Sequence, residues 1–217
     1  MRRAVIAEFV GALLLTAAVV GSGIMGERLA GGNAAIALLA NTGATVAALA
    51  TLIAAFGPIS GAHFNPVVTL VAFYQRQLPA GRSLAFLGAQ VAGCCAGAML
   101  ANVMFELPAI QASTHARTGG AQWLSEVVAT AGLVYIAFSA PTISAAAWRV
   151  PAWIGAAYWF TASTSFANPA ITLGRSLTDT FAGIRPADAP GFIAAQLAGG
   201  VLGALFLQIF AERRAAA

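Results

Sequence analysis

Ser60-Gly61-Ala62-His63-Phe64-Asn65-Pro66-Val67 interrupts an otherwise apolar stretch, and about a hundred residues later the chain repeats the interruption as Ser165-Phe166-Ala167-Asn168-Pro169-Ala170. An Asn-Pro pair at the mouth of a short helix does two physical jobs. Proline at the first helical position lacks the N–H that would be orphaned there and presets the helical φ. Asparagine caps the helix while its amide still donates into whatever cavity it faces. Two such half-helices at corresponding places in two hydrophobic halves are the sequence signature of an inverted-repeat membrane channel or transporter.

The composition agrees. Of 217 residues, 59% are hydrophobic and 8% charged, whereas an ordinary soluble domain carries roughly a quarter charged residues. All eleven basic residues are arginines scattered between apolar runs, so the pI near 9.8 does not point to nucleic acid. Met1-Arg2-Arg3 before an apolar run resembles a secretory signal, but Glu8 interrupts that run and no small-residue cleavage site follows, so it reads as a first span. Cys94 and Cys95 are neighbours in an apolar stretch. They form neither a disulfide framework nor a metal site and read as packing residues.

Six stretches are long enough to cross a bilayer: Ala4–Met25, Ala34–Phe56, Ser83–Phe105, Gln122–Ala140, Ala147–Ser163 and Pro190–Phe210. Pro66–Tyr74 and Pro169–Leu177 reach about halfway, at ~1.5 Å per residue. Two re-entrant half-helices meeting by their N-termini account for those lengths. The irregular backbone before the first, Gly57–Phe64, is tolerable at that depth only beside protein or a wet cavity. The expected fold is an all-α polytopic membrane protein, with six transmembrane helices and two half-helices in one channel domain, 1–217. Repeats at roughly 1–110 and 118–217, with three crossings each, invert one half relative to the other. Placing both termini in the cytoplasm puts Arg2, Arg3, Arg76, Arg82, Arg149, Arg213 and Arg214 inside, and Arg28, Arg117, Arg175 and Arg185 outside.

The repeat extends beyond the Asn-Pro pairs. Glu8 and Glu126 open spans one and four, and Gln90 with Gly93 and Gly97 in span three matches Gln196 with Gly199 and Gly203 in span six. The glycine spacing allows close helix approach. Intramembrane carboxylates are costly without partners. Glu8 and Glu126 are either structural struts accepting from loop N–H groups or members of a proton relay. The spans supply no Lys, Arg or His as relay partner, which favours struts.

These residues resemble the major intrinsic protein family, the aquaporins and aquaglyceroporins, over nearly the whole chain. The resemblance implies a passive channel in a bacterial plasma (inner) membrane, assembled as a homotetramer with one pore per subunit and needing no cofactor or metal. Its partners are water, small neutral solutes and the lipid bilayer. It also implies a pore midplane at Asn65, Pro66, Val67, Asn168, Pro169 and Ala170, where Val67 replaces the usual Ala and is expected to add bulk beside the constriction. Carbonyls of Gly61, Ala62 and His63, and of Ser165, Phe166 and Ala167, form an acceptor ladder by the same analogy. Counting from the Asn-Pro pairs places the family's outer filter at Thr45, Ala156, Ser165 and Ile171, without the usual aromatic, His or Arg. The expected filter is therefore wide and nearly uncharged. The nearest resemblance is to bacterial aquaporins associated with arsenic resistance, which share a run like Arg175-Ser176-Leu177-Thr178-Asp179-Thr180-Phe181-Ala182-Gly183.

Arg175 lies one turn beyond Ile171 on the same helical face. It is either a guard in the outer vestibule or a snorkelling Arg paired with Asp179. The expected cargo is small neutral solutes broader than water: glycerol, urea and metalloid hydroxides such as arsenous acid. A mainly water-conducting pore and a proton-coupled transporter are the alternatives. An enzyme is not expected, because no nucleophile, base and oxyanion donor assemble and the only histidines are His63 and His115.

Overall fold

Polarity in this molecule is turned inside out. Leu84 and Leu124 are 69% and 64% exposed, whereas Glu8, Gln90, Glu126 and Gln196 have no exposure at all. A chain that shows leucine outward and folds its carboxylates inward is built for a hydrocarbon solvent. The computed structural model describes residues 1–215, with side chains to residue 210. The side chains of Arg213 and Arg214, assigned above to the cytoplasmic face, lie outside the described residues.

The described chain is helical, in the order α1 (Arg2–Leu29), α2 (Ala34–Ser60), α3 (Pro66–Tyr74), α4 (Ala80–Met104), α5 (Gly120–Ser139), α6 (Ile143–Phe160), α7 (Pro169–Arg175) and α8 (Ala189–Ala215). Among the described residues five helices are long and apolar enough to cross a membrane. The 18-residue α6 packs against α2 and α5 and completes the ring of six. In the first half α1 lies against α2 and α4; in the second, α5 lies against α6 and α8. The half-helices α3 and α7 fill the space between the halves and touch each other.

Local chemistry sets the turns. Gly31 and Gly32 take positive φ between α1 and α2, and Asn33 then caps α2, its Oδ1 accepting from the N–H groups of Ala35 at 3.0 Å and Ile36 at 3.3 Å. Thr142 caps α6 in the same way, accepting from Ala145 N–H at 3.0 Å. Close approach is set by the repeated glycines. Gly93 and Gly97 of α4 leave no room for a Cβ against the carbonyls of Phe9 and Leu13 on α1. Gly199 and Gly203 of α8 meet Val127 and Ala131 on α5 equivalently.

Most helix ends differ from the sequence expectation by a few residues, α6 running Ile143–Phe160 and not Ala147–Ser163 among them, and two of the differences bear on the lumen. The irregular segment begins at Gly61, not Gly57, because α2 continues through Pro58, whose missing N–H costs only one helical bond. The Gly61 N–H still closes onto the Gly57 carbonyl at 2.9 Å, with Gly61 in the left-handed region. Helix α7 ends at Arg175, two residues early. The carbonyls of Ser176 and Leu177 instead accept from the N–H groups of Ser113 at 3.2 Å and Gln111 at 3.0 Å, so the loop 105–119 draws this segment out of the helix.

Val67 is not at the constriction. Its side chain is 2% exposed and turns away from the lumen, packing with Val71, Val134 and Ala204. A Cβ on Gly200 of α8 would overlap the Val67 side chain. The extra bulk relative to alanine is thus absorbed by a glycine on the neighbouring helix, well away from the pore. Gly200→Ala should destabilise the purified protein by about 1–3 kcal/mol through overpacking, and Val67→Ala in the same chain should restore most of the loss. Thermal unfolding in detergent measures both; equal stability of Gly200→Ala and the wild type defeats this packing account.

Candidate functional site

The two segments before the half-helices, 61–65 and 161–168, are held by the buried carboxylates. Glu8 Oε1 accepts from Ser60 Oγ at 2.6 Å and His63 N–H at 3.0 Å, and its Oε2 from Phe64 N–H at 2.7 Å and Gln90 Nε2 at 2.8 Å. Glu126 repeats the pattern with Ser163 Oγ at 2.6 Å, Phe166 N–H at 2.9 Å, Ala167 N–H at 2.8 Å and Gln196 Nε2 at 2.6 Å. Each glutamine also donates to a half-helix hydroxyl: Gln90 to Thr69 at 2.8 Å, and Gln196 to Thr172 at 2.9 Å. These loops carry non-glycine residues at positive φ, namely Ala62, Phe64, Thr164, Ser165 and Ala167. Such a backbone persists only when its surroundings over-determine it. The carboxylates supply that constraint, and they leave their loop carbonyls free to turn toward the lumen. Ser60 and Ser163 as anchors were not visible from the sequence reading, although they share the offset of five residues before each Asn.

Asn65 and Asn168 each do more than cap. Asn65 Oδ1 accepts from Val67 N–H at 2.9 Å, and Asn168 Oδ1 accepts from Ala170 N–H at 3.0 Å and Ile171 N–H at 3.3 Å. Their amide nitrogens cross to the other half. Asn65 Nδ2 donates to the Ala167 carbonyl at 2.7 Å, and Asn168 Nδ2 to the Phe64 carbonyl at 2.8 Å. This reciprocal pair ties the two half-helix N-termini together. Each Nδ2 retains a second hydrogen, and both asparagines border the central cavity.

That cavity, of about 290 Å³, runs from Gln77, Thr142 and Ile143 at the face of the termini, past the asparagines, to Tyr158, Ile171 and Arg175 in the opposite half. Gly61, Ala62, His63, Ser165 and Phe166 line it. Three site expectations need correction. Pro66, Val67, Pro169 and Ala170 are buried behind the asparagines and do not border the cavity, because the cap geometry points only the amide forward. Ala167 is fully buried, and its carbonyl is occupied by Asn65, so it does not join a free ladder.

The third correction concerns the outer filter. Thr45, Ser165 and Ile171 line the cavity as counted, but Ala156 is exposed on the outer side of α6. Two residues are ~200° around a helix, so the lumen-facing position is Tyr158, which follows Val150 and Ile154 on one stripe. Its hydroxyl lies 3.4 Å from Thr45 Oγ1. This stretch of the lumen wall therefore has an aromatic with a hydroxyl. Thr45, Tyr158, Ser165 and Ile171 line this stretch, all 6% exposed or less, and the Ser165 hydroxyl is itself buried without a partner among the described residues.

Arg175 is buried at 2% exposure and reaches the cavity. It is not a snorkelling partner of Asp179. That carboxylate instead accepts from Thr114 N–H at 2.7 Å and Thr114 Oγ1 at 3.0 Å, and these bonds hold its pKa below the usual carboxylate value. Among the described residues the one ion pair is Arg185–Asp188, at 2.8 Å.

A ring of crossing helices, two half-helices joined at the middle by asparagines, and a polar-edged lumen between them define a membrane channel of the inverted-repeat class. The model of the family described as major intrinsic protein matches residues 1–162 and 140–217. The chain is 52% identical over 203 residues to the aquaglyceroporin AqpS of Rhizobium meliloti (strain 1021), covering 93% of this chain and 87% of that one. It is 32% identical over 142 residues to a probable aquaporin, TIP1-1, of Oryza sativa subsp. japonica, covering 63% and 56% of the two chains. The X-ray structure of the aquaglyceroporin from Plasmodium falciparum superposes with a TM-score of 0.73 at 18% identity, covering 95% of each chain, and shows a shared fold. The chain belongs to the major intrinsic protein family. It is a passive channel for water and small solutes.

Proposed function

We propose that the solutes are small, neutral and broader than water, with glycerol, urea and undissociated metalloid hydroxides such as arsenous acid as the class. The single observation that carries this reading is the filter ring. Ile171 occupies the position where water-selective members of the family place an arginine, and Thr45, Tyr158 and Ser165 add hydroxyls beside it. A polyol or urea has apolar edges that meet the alkyl wall and hydroxyls or amides that exchange hydration for Thr45, Tyr158 and Ser165. Water gains less from such a ring, because a hydrocarbon wall offers it nothing.

Past the ring, in this proposal, carbonyls of Gly61, Ala62 and His63 on one side and of Ser165 and Phe166 on the other accept from the passing solute. Asn65 and Asn168 donate at the middle. Both half-helix N-termini point there, and their partial positive charge opposes protons and metal cations. Glu8 and Glu126 act as struts, since every donor they hold comes from the re-entrant segments, their anchoring serines or the glutamines; the His63 ring reaches Glu8 only through Thr69 Oγ1, at 3.0 Å, and the Gln90 amide, which is not a titratable relay. The assembly proposed is a homotetramer in a bacterial inner membrane with both termini cytoplasmic, the orientation favoured by the arginine distribution.

Stopped-flow permeability of proteoliposomes tests the reading. Glycerol, urea and arsenous acid should each cross faster than in empty vesicles, to equilibrium and not beyond, with or without a pH gradient. Accumulation against a gradient overturns the channel; water flux without solute flux overturns the solute class. Tyr158→Ala should raise glycerol and arsenous acid permeability by roughly twofold or more, because an aromatic ring leaves the narrowest part of the lumen. Ala156→Trp should leave both unchanged within assembled protein.

A further inference from the structure

Two guanidinium groups stack on Phe166 beyond the filter, Arg175 bordering the lumen and Arg117 from the loop 105–119, and among the described residues no free carboxylate accompanies them. Arg175 lies flat on the Phe166 ring, with Cζ 3.4 Å from the centroid, and its Nε donates to the Ala182 carbonyl. Its two terminal nitrogens make no hydrogen bond among the described residues, although the side chain is 2% exposed and borders the cavity. Arg117, from the loop 105–119, holds its Cζ 5.2 Å from the same ring centroid. It is anchored by Nε to the Gly183 carbonyl at 2.8 Å and by a terminal nitrogen to the Phe181 carbonyl at 3.2 Å.

The nearby acids are all engaged. Glu126 accepts from four donors of its own loop and Gln196. Asp179 is held by Thr114, and Asp188 by Arg185 and the Arg117 N–H. A buried cation without a counter-charge is costly. A planar fork with free N–H groups facing a wet lumen is shaped for paired oxygens. Phe166 covers one face of the fork and the Ala182 carbonyl fixes its edge, so the free edge is preset in direction.

We propose that this end of the lumen is a binding subsite for a small oxyanion, held by the terminal nitrogens of Arg175 in the field of Arg117, outside the ring of Thr45, Tyr158, Ser165 and Ile171. Occupancy neutralises Arg175 and obstructs the mouth, so a bound oxyanion slows the passage of neutral solutes. The subsite rests on the channel reading only for this last effect; binding itself is independent of flux.

Inorganic phosphate at neutral pH is the probe, against chloride at matched ionic strength. Purified tetramer or monomer in detergent is titrated while ³¹P line broadening reports exchange, and glycerol flux into proteoliposomes is measured with and without phosphate. Wild-type protein should broaden the phosphate signal and lose roughly half its glycerol flux at saturating phosphate. Arg175→Gln should weaken binding by about tenfold or more, the value of a charge-assisted pair, and abolish the flux effect. Arg175→Lys should fall between, retaining charge without the fork. Arg117→Gln, which removes the second charge and leaves the free edge of Arg175 in place, should weaken binding less than Arg175→Gln. No broadening by the wild type overturns the subsite, as does equal binding by all three variants. Binding without any change in flux places the anion outside the solute path and overturns the obstruction. Absence of glycerol flux with intact binding would instead count against the solute class, which keeps the two proposals separable.

Discussion

Glu126→Leu should leave little assembled channel in the membrane, and Glu126→Gln should leave a partly active one. Among the described residues the carboxylate is the only acceptor for the N–H groups of Phe166 and Ala167, and it also receives Ser163 Oγ and Gln196 Nε2. The serine and glutamine can turn to other acceptors. The two backbone donors cannot, since Ser165 and Ala167 sit at positive φ within a buried segment. At about 1–3 kcal/mol for each orphaned buried donor, with strained backbone released as well, the loss is a large share of what holds the re-entrant loop. Glutamine keeps an acceptor oxygen in the same place but turns one carboxylate oxygen into a donor aimed at donors, so it is intermediate. The measurements are the yield of monodisperse protein in detergent and glycerol flux per unit of inserted protein. If Glu126→Leu inserts and conducts like the wild type, the strut role is wrong. If Glu126→Gln abolishes flux only when a proton gradient is imposed, a relay replaces it.

Ile171→Arg converts the filter toward water. Ile171 is 6% exposed at the first turn of α7, with its N–H taken by the Asn168 cap, so its side chain direction is set by the cap itself. A guanidinium there brings up to five donors to the alkyl side of the ring. It also fills the lumen beside Tyr158 and places a third cation next to Arg175 and Arg117. Glycerol, urea and arsenous acid permeabilities should fall by roughly tenfold, ~1.4 kcal/mol in barrier, and water permeability by much less. Adding Thr45→Phe should deepen the discrimination, because Thr45 faces the Tyr158 hydroxyl. Stopped-flow light scattering on the same vesicles gives both rates. Unchanged solute permeability with slowed water would move the limiting constriction away from the ring, to the asparagine pair.

The class of molecule was legible in the chain because its signals are local. An Asn-Pro pair specifies its own cap and N1 position whatever surrounds it, and Asn65 and Asn168 cap α3 and α7 as read. Apolar length, the duplicated glutamates and the glycine spacing are likewise properties of single helices, and α4 and α8 approach α1 and α5 through those glycines. What could not be read depended on how separate elements meet. A count from the Asn-Pro pair to Ala156 crosses a linker whose path no pattern encodes. A two-residue offset turned the side chain to the far side of α6 and left Tyr158 at the lumen. Val67 carried bulk that only Gly200, 133 positions on, could absorb. The asparagine amides found their acceptors in the opposite half, and Asp179 found Thr114 instead of Arg175. Helix caps and periodicity are decided within a few residues of chain. Pore walls, and the charge left unpaired in them, are decided by which faces the bundle turns inward.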